Sequence, residues 1–253
     1  MTPGGIWIDA KVVGQRRWTD ALRSITIDAG PLGFEAGQFT RLALCLNGEW
    51  VARPYSFVNA PGDPHCEFYY VNVPGGPLTA ELPRLASGDP IRVSRQVSGF
   101  LVLSELPEAE QLWLVSTGTG IGPFLSILAT PAPWQRYRSV VLVHGVRHLP
   151  ELAYAERVAE LARTHGERFR FVPLLSRDAV ELRPGALAGR IPQALHSGAL
   201  EAAAGLALSA GASQVMLCGN PAMVSETTEV LKTRGLKKHR RRDPGQISAE
   251  NYW

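Results

Sequence analysis

Two hydrophobic rhythms follow one another along this chain, and each asks for its own kind of sheet. From Ile6 to about Val97, short strand-like runs (Trp7–Val13, Ala21–Ile27, Phe39–Leu46, Trp50–Val58, Cys66–Val73, Pro90–Val97) are separated by turn residues such as Gly30-Pro31, Asn47-Gly48, Pro61-Gly62 and Ser87-Gly88-Asp89-Pro90. Strands at that spacing predict an antiparallel β-barrel. One helical pattern interrupts them, Leu78, Leu82 and Leu85 after Pro74-Gly75-Gly76-Pro77, which predicts a glycine-rich turn and a short helix with amides free to hold a phosphate. After Glu105 near-continuous apolar runs alternate with helical ones: strands Gln111–Ser116, Ser139–His144, Arg168–Leu175 and Gln214–Cys218, helices Ile121–Ala129, Glu151–Thr164 and Ala222–Thr233. That is the signature of a parallel sheet covered on both faces. The expected fold class is two-domain, β then α/β, with domains 1–104 and 105–253. Ala199–Gly211 is expected to be a weak helix plus loop.

With 45% apolar and 19% charged residues the chain is globular rather than disordered. Cys45, Cys66 and Cys218 are far apart and lack Cys-x-x-Cys spacing. This argues against a disulfide framework, a zinc site or a protein-held iron–sulfur cluster and leaves no metal site expected. A reducing, cytoplasmic setting follows as an expectation, since Met1–Ala10 lack a signal-peptide pattern and no run reaches ~18 apolar residues. The formal charge is only +3, but Arg234, Lys237, Lys238, Arg240, Arg241 and Arg242 crowd together around His239. Such a field suits an acidic protein, a phosphate or a nucleic acid.

Arg53-Pro54-Tyr55-Ser56 places a cation, a rigid residue, an aromatic and a hydroxyl in one strand-like run. These match the anionic pyrophosphate, flat ring and hydrogen-bonding ring edge of a flavin nucleotide. Strict alternation puts Arg53 and Tyr55 on one face and Ser56 on the other, so all three could meet one ligand only at a strand edge or a distortion. Pro54 fits an edge.

The first strand of the second half runs into Gly118-Thr119-Gly120-Ile121-Gly122-Pro123. Glycines there allow a tight turn and close approach of backbone to a ligand. Pro123 stands where the third glycine of the ordinary dinucleotide fingerprint would be, so that match is refused. In the NAD-type pattern a carboxylate about 20 residues beyond the glycines holds the ribose hydroxyls. Here the corresponding strand ends His144-Gly145-Val146-Arg147, the next ends Ser176-Arg177, and Arg190 follows. Three arginines at the carboxyl side of adjacent elements predict a 2′-phosphate pocket, and NADPH rather than NADH.

Taken together, Arg53-Pro54-Tyr55-Ser56-Phe57-Val58-Asn59, Val73-Pro74-Gly75-Gly76-Pro77-Leu78-Thr79, Gly118-Thr119-Gly120-Ile121-Gly122-Pro123-Phe124, Cys218-Gly219-Asn220-Pro221 and the terminal Glu250-Asn251-Tyr252-Trp253 resemble the ferredoxin/flavodoxin–NADP reductase family, in its bacterial branch. The resemblance implies an FAD-binding barrel and an NADP-binding α/β domain, with the nicotinamide meeting the flavin between them and the tail returning to the flavin. It implies that Arg53 binds the FAD pyrophosphate, Tyr55 stacks on the isoalloxazine and Ser56 bonds near flavin N5, with Pro54, Val71, Val73, Gly76, Leu78 and Thr79 completing the FAD site. Thr119 and Cys218 would approach the nicotinamide, and Gly118, Gly120, Gly122, Arg147, Ser176, Arg177, Arg190, Gly219 and Asn220 would hold NADP. Tyr252 would cover the second flavin face, Trp253 would lie toward the FAD adenine, and Glu250 would be the carboxylate near the nicotinamide. The expected activity is hydride transfer from NADPH to FAD N5, then one-electron steps to ferredoxin or flavodoxin, by a monomer whose Arg234–Arg242 segment docks the acidic carrier on a surface helix. A free-flavin or ferric reductase on the same scaffold, a nucleic-acid-binding protein and a flavin sensor without turnover are the competing expectations.

Overall fold

A computed structural model describes residues 5–179 and 183–251. Strands β1 (Trp7–Arg17), β2 (Leu22–Asp28), β3 (Phe39–Leu46), β4 (Glu49–Ser56), β5 (Cys66–Val71) and β6 (Pro90–Ser94) form one antiparallel sheet in the order β4-β3-β6-β1-β2-β5. The β3–β4 hairpin closes on Asn47 and Gly48, both at positive φ (52° and 84°), the geometry whose twist matches that of the flanking strands. Continuous register from Leu46↔Glu49 to Phe39↔Ser56 follows from that turn.

The sheet curls because its two edge strands are drawn together just beyond β4. Phe57 bridges Phe68, the Val58 amide donates to the Glu67 carbonyl (2.9 Å), and Asn59 Oδ1 accepts from the Glu67 amide (2.8 Å). Phe57 is fully buried, lies 3.8 Å between ring centroids from Phe34 and 5.1 Å from Phe68, and sits in a core with Ile25, Ile27, Leu42, Leu82 and Val93. Alternating apolar residues thus face inward from both ends of the strand order. The helix expected around Leu78–Leu85 is only a pair of turns and a three-residue 3₁₀ helix, Leu82–Arg84. Pro83 has no amide proton, so the α-helical ladder cannot run through it.

The second half contains β7 (Gln111–Thr117), a 3₁₀ turn Gly118–Ile121, α1 (Gly122–Leu128), α2 (Ala132–Arg136), β8 (Ser139–Val146), α3 (Ala155–His165), β9 (Phe169–Leu175), β10 (Leu187–Ala188), α4 (Ile191–His196), α5 (Ala199–Ala204), β11 (Ser213–Gly219), α6 (Pro221–Thr233) and β12 (Ile247–Asn251). Its named strands all pair in parallel, in the order β10-β9-β8-β7-β11-β12. Trp113, Val115, Val141, Val143, Leu174, Val215 and Leu217 are buried in one core cluster with residues of α4, α5 and α6. By contacts the chain groups into one unit of residues up to 102 plus 122–130, and another of 103–121 plus 131 onward. Within the first, all seven residues of α1 are buried, Gly122 lies against Val58, and the Ser126 hydroxyl donates to the Asn59 carbonyl (2.7 Å).

Three local readings need correction. The helix expected from Glu151 begins at Ala155, because Tyr154 sits at φ 60°, a left-handed conformation no helix interior tolerates. The segment 234–242 is not helical: α6 stops at Thr233, Gly235 takes φ 82°, and the chain continues through isolated bridges Lys238↔Ile247 and Arg240↔Asp243. Strand β12, absent from the apolar pattern, pairs with β11.

Phe57→Ala should cost about 3–5 kcal/mol in urea denaturation, because it empties the contact that draws the sheet edges together. A loss under about 1 kcal/mol would place the closure elsewhere.

Candidate nucleotide-binding sites

In the first unit, β4 lies at the sheet edge, as Pro54 requires. Arg53 is exposed, with its guanidinium bonded to the neighbouring Ala52 carbonyl (2.8 Å). Tyr55 is half-buried against the barrel core, edge-to-face with Tyr70 at 6.4 Å, and its hydroxyl is buried without a hydrogen-bond partner among the described residues. Burial pushes the Tyr55 phenol up to about 12, so it stays neutral. Ser56 is buried.

The loop that follows β5 forms a cradle. The Gly76 amide and the Thr79 hydroxyl both donate to the Val73 carbonyl (2.9 and 3.3 Å), and a Cβ at Gly76 would lie 2.3 Å from Thr79 Oγ1. A side chain there would displace the Thr79 hydroxyl and crowd the Val73 carbonyl. Val71 is half-buried and Val73 exposed, whereas the Leu78 side chain is in the barrel core and can offer a ligand only its backbone. The loop is tied to the barrel by Gln15, whose Nε2 donates to the Leu82 and Leu85 carbonyls (2.7 Å each) and whose Oε1 accepts from Tyr70 (2.7 Å). An aromatic face, an exposed guanidinium and a glycine cradle on adjoining strands fit a flavin nucleotide.

In the second unit the chain leaves β7 in one direction, toward β8, and returns on the other side as β11. In parallel sheets ligands bind outside the carboxyl ends of the strands at such a reversal. The two turns there interlock. A Cβ at Gly120 would fall 2.5 Å from the Cys218 carbonyl, one at Gly219 (φ 132°) 2.4 Å from Thr117 Oγ1, and Thr117 Oγ1 accepts from the Asn220 amide (2.9 Å). Glycine at both positions is what lets the turns touch. Asn220 Oδ1 caps α6, accepting from Ala222 and Met223 (2.9 and 3.3 Å). Thr119 and Cys218 are buried, and Gly118 is half-buried at φ 53°. Register sets Cys218 beside Ser116 on one side and Glu250 on the other. Gly122 falls in the first unit, against Val58. Tyr252 and Trp253 lie outside the described residues.

The arginines at the ends of β8 and β9 are brought together by backbone bonds. The Ser176 amide donates to the Val146 carbonyl and the Arg177 amide to the Arg147 carbonyl, each at 3.0 Å, and the Gly189 amide to the Leu175 carbonyl (2.9 Å) draws Arg190 to the same end. Among the described residues, two carboxylates lie nearby and both are engaged. Glu151 accepts from the Arg147 amide (2.9 Å) and guanidinium (2.8 Å), and Asp178 accepts from His148 and Leu149. The sequence reading missed His144, although a histidine inside the apolar run of β8 was its signal. Its Nε2 lies 3.0 Å from the Gly118 carbonyl, its Nδ1 is buried without a partner among the described residues, and burial lowers its pKa to about 4. A neutral ring donating through Nε2 fixes the peptide at the head of the glycine turn.

An edge-strand aromatic site beside a glycine cradle and a glycine turn at a parallel-sheet reversal define a nucleotide-binding oxidoreductase, and residues 114–229 match the family model of the oxidoreductase NAD-binding domain. The chain is 46% identical over 248 residues to the flavodoxin/ferredoxin–NADP reductase of Escherichia coli (strain K12), covering 98% of this chain and 99% of that protein, and 36% identical over 250 residues to the ferredoxin–NADP reductase of Pseudomonas aeruginosa, covering 95% of each. Among solved structures, a ferredoxin NADP+ reductase from Neisseria gonorrhoeae with bound FAD and NADP superposes with a TM-score of 0.93 at 34% identity, over 99% of this chain and 100% of that one. This chain belongs to the ferredoxin/flavodoxin–NADP reductase family.

His144 makes stability pH-dependent. Its folded pKa, about 4, lies below the ordinary 6.5, so between those values the unfolded chain binds a proton the folded protein excludes, and stability falls as pH drops through that window. The full effect is about 3 kcal/mol. Urea denaturation of wild type and His144→Gln at pH 7 and 5 should show the smaller pH-dependent loss in the variant. Equal losses would contradict the assignment.

Proposed function

We propose that this protein is an FAD-dependent oxidoreductase that takes electrons from NADPH and delivers them to ferredoxin or flavodoxin. The observation that carries the reading is the backbone bonding that brings Arg147, Arg177 and Arg190 together at the carboxyl ends of β8 and β9, with Glu151 and Asp178 held by protein donors rather than presented to a ribose. Near full-length identity to reductases named for those carriers supports it.

FAD, when bound, supplies the chemistry that accepts a two-electron hydride and releases single electrons. The chain's residues supply position. Arg53 would pair with the pyrophosphate, Tyr55 would cover one ring face with its hydroxyl kept neutral, and Ser56 would hydrogen-bond the reacting ring edge. The Val73–Thr79 cradle, with Pro54 and Val71 flanking, would admit the phosphates close to the backbone at Gly76, where a side chain would displace the Thr79 hydroxyl. Gly118, Thr119, Gly120, Cys218, Gly219 and Asn220 would receive the nicotinamide half of NADPH, while Ser176 and the arginines would take its 2′-phosphate. Tyr252 and Trp253 would cover the remaining flavin surface. Glu250, in register with Cys218, would be the carboxylate nearest the nicotinamide.

For the carrier, the basic segment is narrower than its composition. Arg234 pairs with Glu201, Lys237 with Asp243 (2.5 Å) and Arg241 with Glu105 (2.5 Å), the last holding the Glu105 carboxyl below its usual range. Lys238, Arg240 and Arg242 are exposed and lie outside those three pairs, and they would steer an acidic partner.

The purified protein should be yellow and be bleached by NADPH faster than by NADH, and Arg177→Ala should raise the KM for NADPH about tenfold or more while that for NADH changes little. A colourless protein that cannot be reconstituted with FAD overturns the reading, and an equal KM effect removes the 2′-phosphate assignment. Neutralising Lys238, Arg240 and Arg242 together should slow ferredoxin or flavodoxin reduction at low salt and leave ferricyanide reduction unchanged. An undiminished carrier rate would favour small acceptors such as free flavin or ferric complexes.

A further inference from the structure

We propose that Asp178 is the positioning residue of the 2′-phosphate site, clasping the loop that carries Arg147 to the loop that carries Arg177; this rests on the reading of those arginines as phosphate ligands. The two loops follow adjacent parallel strands. The β8–β9 ladder ends at Val146↔Leu175, and two further backbone bonds, Ser176 to Val146 and Arg177 to Arg147, prolong it to the arginines themselves. Beyond them the chains separate, one entering the 3₁₀ helix Leu149–Glu151 and the other running on through Ala179. At that fork Asp178 reaches across with both oxygens: Oδ2 accepts from the Leu149 amide at 2.6 Å, and Oδ1 lies 2.7 Å from His148 Nδ1. Those bonds hold its carboxyl below the usual aspartate range, so it is ionised wherever the enzyme would work.

A carboxylate beside a site for a dianion is unfavourable by charge alone. Its side chain is nevertheless only 19% exposed, and both its oxygens are engaged. Positioning explains what charge does not. Two arginines grip one phosphate only if their backbones are held at a fixed separation, and preorganised forks lose less entropy on binding. The backbone bonds on the arginine side of the fork are next to solvent, since Ser176, Arg177 and Arg147 are all exposed, whereas the clasp is charge-assisted. His148 contributes from the Arg147 side, and Glu151 independently holds the Arg147 guanidinium.

Charge and clasp predict opposite signs, which makes the test decisive. FAD-reconstituted wild type, Asp178→Ala and Asp178→Asn are titrated calorimetrically with 2′-AMP and with 5′-AMP, and steady-state constants are measured with NADPH. Asp178→Ala should weaken 2′-AMP binding about tenfold, the size of one lost charge-assisted bond, leave 5′-AMP within about twofold, and raise the KM for NADPH more than it lowers kcat. Asp178→Asn, which keeps a carbonyl for the Leu149 amide, should recover part of the loss. Unchanged or tighter 2′-AMP binding in the alanine variant, equal weakening of both nucleotides, or an asparagine variant no better than alanine would each overturn the clasp. A wild-type protein that does not prefer 2′-AMP to 5′-AMP would instead overturn the phosphate reading on which it rests.

Discussion

The pairing of β7 with β11 is the constraint on which the second unit depends. It places two strands far apart in sequence side by side at the point where the chain reverses direction, and it leaves their following turns no room for side chains. Gly120 rests on the Cys218 carbonyl and Gly219 on Thr117. A methyl at either position would drive backbone into backbone, which cannot relax as the end of a flexible side chain can. The outcome is a shallow floor of main chain, anchored from beneath by His144, onto which a nucleotide can settle closely.

The first unit solves a different problem with the same economy of side chains. Its sheet must curl far enough for β4 and β5 to approach, and Phe57, Phe34 and Phe68 supply the buried area that favours the curl. Closure leaves β4 with a free edge along Arg53–Tyr55, and it sets Tyr55 against Tyr70, which leads through Gln15 to the carbonyls of Leu82 and Leu85. A ring contact from Tyr55 to Tyr70 and hydrogen bonds from Tyr70 through Gln15 thus join the aromatic that would cover the flavin to the segment that follows the phosphate cradle.

Charge in this protein is organised by pairing more than by accumulation. The basic segment loses three of its cations to Glu201, Asp243 and Glu105, and exposed pairs of this sort contribute little to stability. Their consequence is to offset three of the segment's cations and leave Lys238, Arg240 and Arg242 outside those pairs. At the other end of the sheet Glu151 and Asp178 hold loop geometry beside the arginines that would meet a phosphate, an arrangement in which fixed position outweighs the repulsion of one more carboxylate.

Hydrophobic period alone determined a great deal: alternating runs with glycine and proline turns for the first sheet, near-continuous apolar runs for the second, and glycines where backbone must approach backbone. These signals are local, and they survive translation into structure because pleat and helix periods act on neighbouring residues. The helical reading of the basic segment failed because Gly235 and the bridges to Ile247 and Asp243 outweigh the propensity of Lys and Arg for helix. Strand β12 was invisible because Ser248, Glu250 and Asn251 break the apolar pattern, and β11 supplies the missing hydrogen bonds. Only the tertiary structure could set Glu250 beside Cys218, Arg177 beside Arg147, and Asp178 across the fork between their loops. Those neighbours lie about 30 residues apart in sequence, so no periodicity reports them; parallel strands, whose crossovers bring distant carboxyl ends together, decide them.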